Sequence, residues 1–175
     1  MKTLILYYSR TGNNRFAALK LAEALDCDIE EIRSLCGGFS FLLLGSALTF
    51  GLGNRKLSRN PADFDRVILC GPIWMGRIVL PLRAFLRKYG RSLKSLAFVT
   101  VCGSDEASKS GGFGYETVFG KFRALLGEKF AGGFAIPVTL IPGGGADATK
   151  ARLNGANFTG EIAARFQAVA DSLKG

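Results

Sequence analysis

The chain has 175 residues, 48% hydrophobic and 21% charged, a composition that suits one globular domain spanning 1–175 and excludes a disordered chain. Lys and Arg outnumber Asp and Glu by 23 to 14, for a net charge of +9, and histidine is absent. Without histidine there is no Ser-His-Asp or Cys-His chemistry, and four cysteines without a CxxC pair make no zinc pattern.

The first predicted element is a strand over 3–8, where Leu4-Ile5-Leu6-Tyr7-Tyr8 forms the continuous apolar run of a buried parallel strand. Ser9-Arg10-Thr11-Gly12-Asn13-Asn14 follows as a turn, then a helix with Ala18, Leu21, Ala22 and Leu25 on one face. Residues 27–32 alternate as an edge strand does. Arg33 to Asp63 is irregular, with a short helix expected around Phe41-Leu42-Leu43-Leu44 and Leu48, broken by Gly51-Leu52-Gly53. A third strand is expected over 66–71 and a fourth over 96–102, both continuously apolar. The helix between them carries Ile78, Leu82, Phe85, Leu86 and Tyr89 as its stripe, with Pro81 in its first turns. A helix marked by Val118, Phe122, Leu125 and Leu126 precedes a fifth strand over 132–140. After a Gly-rich stretch from Ile141 to Gly145, the last helix is marked by Ile162, Phe166, Val169, Ala170 and Leu173.

Strands and helices alternate, so the expected architecture is α/β: a doubly wound, five-stranded parallel sheet of order 2-1-3-4-5 with helices on both faces. Ligands of such sheets bind beyond the strand C-termini where the strand order reverses, here between the first and third strands. Three loops meet that crevice. In the first, Ser9, Thr11 and Asn14 offer side-chain donors, Gly12 lets backbone approach closely, and Arg10 can add charge. It reads either as an anion cradle at a helix N-terminus or as an N-capping turn. The second, Gly71-Pro72-Ile73-Trp74-Met75-Gly76, holds the only tryptophan, which either stacks on a flat heterocycle or covers the core edge. The third is Cys102-Gly103-Ser104-Asp105, running on to Phe113 and Tyr115 as a second flat surface or as a plain connection.

Together these loops resemble the flavodoxin family. Its first loop has the form Ser/Thr-x-Thr-Gly-Asn-Thr; Ser9, Thr11, Gly12 and Asn13 match it, with Asn14 in place of the last hydroxyl. Gly71-Pro72-Ile73-Trp74 looks like the second loop, with Trp74 at its aromatic position, and Cys102-Gly103-Ser104 matches the third in place and small size. The resemblance implies non-covalent FMN, with its phosphate on Ser9, Arg10, Thr11, Gly12, Asn13 and Asn14. The ring is then implied between Pro72, Ile73, Trp74, Met75 and Gly76 on one side and Cys102, Gly103, Ser104 and Phe113 on the other.

One departure is charge, since flavodoxins that shuttle electrons are typically acidic. A basic chain stabilises the negative charge of a reduced flavin, which favours two-electron work such as passing hydride from NAD(P)H to a quinone-like acceptor. The alternatives are a one-electron carrier steered to an acidic redox partner, and a flavin-free binding module of the same fold. The cations are scattered without a dense run, so nucleic acid is not an expected partner. No leader is apparent, and no apolar stretch reaches the roughly 18–20 residues of a membrane span. A cytoplasmic location with reduced thiols is expected. The apolar segment Phe39–Leu52 either covers the sheet or forms a homodimer or membrane-surface contact.

Overall fold

In the computed structural model, residues 1–35, 53–103, 107, 114–142 and 151–174 are described. Their apolar runs form the strands β1 (Thr3–Tyr7), β2 (Asp28–Glu31), β3 (Arg66–Cys70), β6 (Leu96–Cys102) and β7 (Phe130–Pro137), which make one parallel sheet. Its order is β2-β1-β3-β6-β7, the 2-1-3-4-5 arrangement expected from the sequence. Two further strands, β4 (Ile73–Trp74) and β5 (Arg77–Ile78), pair with each other as an antiparallel hairpin. The helices are α1 (Asn13–Leu25), α2 (Leu80–Tyr89), α3 (Tyr115–Leu126) and α4 (Gly160–Lys174).

Side chains alternate along a strand, and here both faces are covered. Leu4, Leu6, Val67, Leu69, Leu96 and Phe98 point to the layer of α2 and α3. Ile5, Tyr7, Ile68, Cys70, Ala97 and Val99 point to the layer of α1 and α4. The α2–α3 layer is the aromatic one: Phe98 stacks on Phe122 at 4.6 Å, and Phe122 on Phe130 at 5.4 Å. Phe119 reaches so close to β7 that a Cβ on Gly133 would stand 2.4 Å from its ring. Only glycine allows that approach, so Gly133 sets how tightly α3 lies on the sheet.

Several boundaries move. The fifth strand starts earlier than expected and ends at Pro137, after which Val138–Leu140 forms a 3-10 turn. Ile78 belongs to the hairpin and not to the following helix, which starts at Leu80 with Pro81 in its first turn, where a missing N–H costs nothing. Leu125 lies on the expected apolar stripe of α3 but is 65% exposed, while Phe119 takes a core position. Between β2 and β3 the described residues show a bridge from Ser34 to Asn54, a buried Leu57 and a 3-10 turn over Pro61–Asp63. The Phe39–Leu52 segment, with Leu43 and Leu48, lies outside the described residues. Among the described residues no helix is long and apolar enough to cross a membrane.

Candidate functional site

Register places the first two loops side by side. Tyr7 is paired with Cys70 and Cys70 with Val99, and the ladder continues one step through Tyr8 N–H to Cys70 O (2.9 Å) and Gly71 N–H to Val99 O (3.1 Å). The chain leaves β1 for α1 on one face and leaves β3 for α2 on the other. That divergence opens the crevice where doubly wound sheets take ligands.

The first loop turns sharply at Gly12, whose φ of 95° is left-handed backbone that glycine adopts without cost. An added Cβ there would meet nothing within 4 Å, so the turn borders open space. The Ser9 Oγ accepts the Gly12 N–H at 3.1 Å. Gly12 is the N-cap of α1, and no side chain caps the helix. First-turn N–H groups have no partner within a helix, so α1 presents these donors and its positive dipole end toward the crevice. Arg10 and Arg15, both exposed, add charge beside the turn.

Asn13 and Asn14 are buried, 6% and 4% exposed, and their side chains point into the protein. Asn13 Nδ2 donates to Ala151 O at 3.0 Å, and its Oδ1 accepts the Leu153 N–H at 2.9 Å. Asn14 Oδ1 accepts the Val101 N–H at 2.8 Å, and its Nδ2 donates to Val101 O at 3.3 Å. These amides fix the turn to the end of β6 and to the chain ahead of α4. What they offer a ligand is their backbone. The 151–153 segment, with exposed Arg152 at its centre, is a part of the site that the sequence reading missed; no local pattern marks a partner more than a hundred residues away.

The second loop is the hairpin. Its turn, Met75-Gly76, has φ of 49° and 65°, as the two-residue turns favoured between twisted strands require. Met75 is therefore a non-glycine residue in left-handed backbone, and it is 59% exposed at the tip. Pro72, Ile73 and Trp74 are half-buried and Gly76 is buried; Ile73 and Trp74 lean on the α2–α3 core layer. Lys121 of α3 ties the tip down by donating to Gly76 O at 3.1 Å.

Of the third loop, Cys102 is half-buried at the end of β6 and Gly103 is exposed beyond it. Ser104 and Phe113 lie outside the described residues. Tyr115, also half-buried, opens α3 and packs on Phe119 at 5.5 Å. The tyrosines near the crevice resist ionisation. Burial pushes the Tyr8 hydroxyl up most, with Arg10 pulling the other way; burial and Glu31 raise Tyr7, opposed by Arg15 and Arg33.

The sequence matches no family model and no curated protein. Solved structures do resemble it. A flavoprotein from Lactobacillus acidophilus, solved in complex with FMN, aligns with a TM-score of 0.59 at 18% identity over 77% of this chain and 92% of its own. A flavodoxin from Streptococcus pneumoniae aligns with a TM-score of 0.54 at 14% identity over 99% of this chain and 97% of its own. The Trp repressor binding protein from Bacillus subtilis aligns equally well, at 0.54 and 14%, over 99% and 97%. The fold is flavodoxin-like, as the sequence led one to expect.

Proposed function

We propose that this chain is an FMN-binding redox protein. The observation that carries the reading is the uncapped N-terminus of α1 behind a left-handed Gly12, beside a hairpin that presents the only tryptophan. The donor set fits a phosphate monoester: backbone N–H groups of the first helical turn, the Thr11 and Ser9 hydroxyls, and the charge of Arg10 and Arg15. Asn13 and Asn14 hold that set in place through their side chains and contribute backbone. Trp74 and Met75, with Pro72, Ile73 and Gly76, border one side of the ring's place; Cys102, Gly103, Ser104 and Phe113 are assigned to the other. Bound there, FMN supplies one- or two-electron redox chemistry.

The protein's part is electrostatic. Salt screens charges beyond about 8–10 Å, so the cations next to the turn act on the site more than the rest of the +9 does. Arg10 and Arg15 favour negative charge building up in the crevice. That supports two-electron work, taking hydride from NAD(P)H and reducing a quinone-like acceptor, in the cytoplasm. With no histidine in the chain, protons at the site come from water or a tyrosine hydroxyl.

Titrating the flavin-free protein with FMN and with riboflavin, read by flavin fluorescence, tests the reading. FMN should be quenched at low concentration and riboflavin, lacking the phosphate, only at far higher. A protein that stays colourless and leaves FMN fluorescence unchanged sinks the proposal. Mixing the loaded protein with NADH or NADPH alone then tests the reductase part: bleaching supports it, and no bleaching without a second protein favours a carrier serving an acidic partner.

A further inference from the structure

Two hollows lie between α2 and α3, of about 350 and 520 Å³, and they share Leu86 of α2 and Leu125 of α3 as walls. Together they make one trough that runs from Ile78, ahead of α2, to Arg91, past its end. The ten residues of α2 make it about 15 Å long, or roughly three turns of a helix. Its floor is apolar: Leu86, Phe122 and Leu126 are buried, and Gly90 adds no side chain. On its rim Leu125 is 65% exposed, which leaves a large apolar side chain in water.

We propose that this trough is the docking site for an acidic amphipathic helix of a partner protein. Shape and charge point to the same occupant. Apolar residues three or four apart on a helix make a narrow stripe that fits an apolar groove. A flat bilayer surface would meet the exposed Arg87 and Arg91 before it reached the buried floor. The charge bias is regional: residues 66–104 hold seven Lys or Arg and no Asp or Glu. Arg87 and Arg91, both exposed at the wall of the trough, make no side-chain hydrogen bond or ion pair among the described residues. Of the acids on α3 and the turn after it, Glu116 is held by Arg123 at 3.5 Å, and Glu128 does not line the trough. Glutamates flanking the apolar stripe of a partner helix would meet these two guanidinium groups and form charge-assisted hydrogen bonds.

Docking there brings the partner to the hairpin. Lys121, one turn before Leu125 on α3, holds Gly76 O at 3.1 Å, and the neighbouring Met75 is 59% exposed. A helix lying in the trough has the loop that carries Trp74 at one end.

The test is calorimetric titration of the purified full chain with a capped helical peptide of roughly four turns, Leu along one face and Glu on both flanks, alongside amide proton–nitrogen NMR spectra. The peptide should bind saturably, more weakly as salt rises, and shift Leu86, Arg87, Gly90, Arg91 and Leu125. A copy with Gln for every Glu, and one with Ala for every Leu, should each bind at least about tenfold more weakly. The double variant Arg87→Glu, Arg91→Glu, at exposed positions and with its fold checked by circular dichroism, should weaken the Glu peptide by a similar factor and the Gln peptide much less. Equal affinity for the Glu and Gln peptides, shifts elsewhere, or no saturable binding in the millimolar range overturns the assignment. So does the same set of shifts on phosphatidylglycerol vesicles in place of the peptide. None of these readouts uses flavin, so the outcome is independent of the FMN proposal.

Discussion

The first two loops leave neighbouring strands at the same level, yet they are held in opposite ways. The Ser9–Asn14 turn is fixed from within: two buried amides make four hydrogen bonds to backbone on distant segments, at 2.8 to 3.3 Å. Its polar side chains serve geometry and leave backbone N–H groups to face a ligand. The Ile73–Ile78 hairpin is held from outside, by packing on the core layer and by Lys121 at its tip. It presents side chains, Trp74 and Met75, and keeps a strained turn. Under the proposed function, the backbone cradle takes the phosphate, whose charge and shape do not change with redox state, and the side-chain wall borders the ring, whose electronic state does.

Substitutions can break that contrast. The largest expected effect is from Asn14→Ala, which strands a buried N–H and C=O of Val101 and should cost about 3 kcal/mol of stability in a denaturant titration. If the protein instead loses FMN affinity at unchanged stability, the side chain serves the ligand and the contrast fails. Asn13→Ala, with its partners nearer solvent, should cost about 2 kcal/mol in the same assay. Trp74→Ala is expected to shift the balance: a smaller loss of stability than Asn14→Ala, from packing lost against the core layer, and FMN binding weakened about tenfold in a fluorescence titration. Met75→Asn places a residue tolerant of left-handed backbone at the turn, and should stabilise the protein by about 0.5 kcal/mol.

The smallest effect is a control at the opposite end of the strands, just ahead of β3. The Lys2 N–H, first, and then Lys94 hold the Asp65 carboxylate below its usual range. A depressed folded value means a contribution present above about pH 4 and lost as the pH falls through the folded value. Asp65→Asn should therefore slightly flatten the acid limb of a stability-versus-pH curve and leave FMN binding unchanged.

The strand order and the helices were legible because continuous apolar runs and 3.6-residue stripes survive in the sequence whatever the tertiary context. The hairpin was not. Two-residue strands carry no period, and Met75-Gly76 lacks the Asn-Gly or Asp-Gly signal of such turns, so Ile78 read as the start of a helix. Asn13 and Asn14 were legible as residues of the first turn but not in their orientation. An amide in a Ser/Thr/Asn turn looks the same whether it faces a ligand or a remote carbonyl, and only the fold brings Val101, Ala151 and Leu153 within reach. Leu125 shows the converse: its spacing fits the apolar stripe, yet it is 65% exposed.

The Asn13 bond to Leu153 also has a consequence in time. It joins residues 140 apart, and the Asn14 bonds join residues 87 apart. At ordinary rates of synthesis, roughly 10–30 s pass between the making of Asn13 and that of its partner. Through that interval β1 and its turn exist without their closing contacts. The cradle is thus finished only once Leu153, made long after Asn13, has left the ribosome.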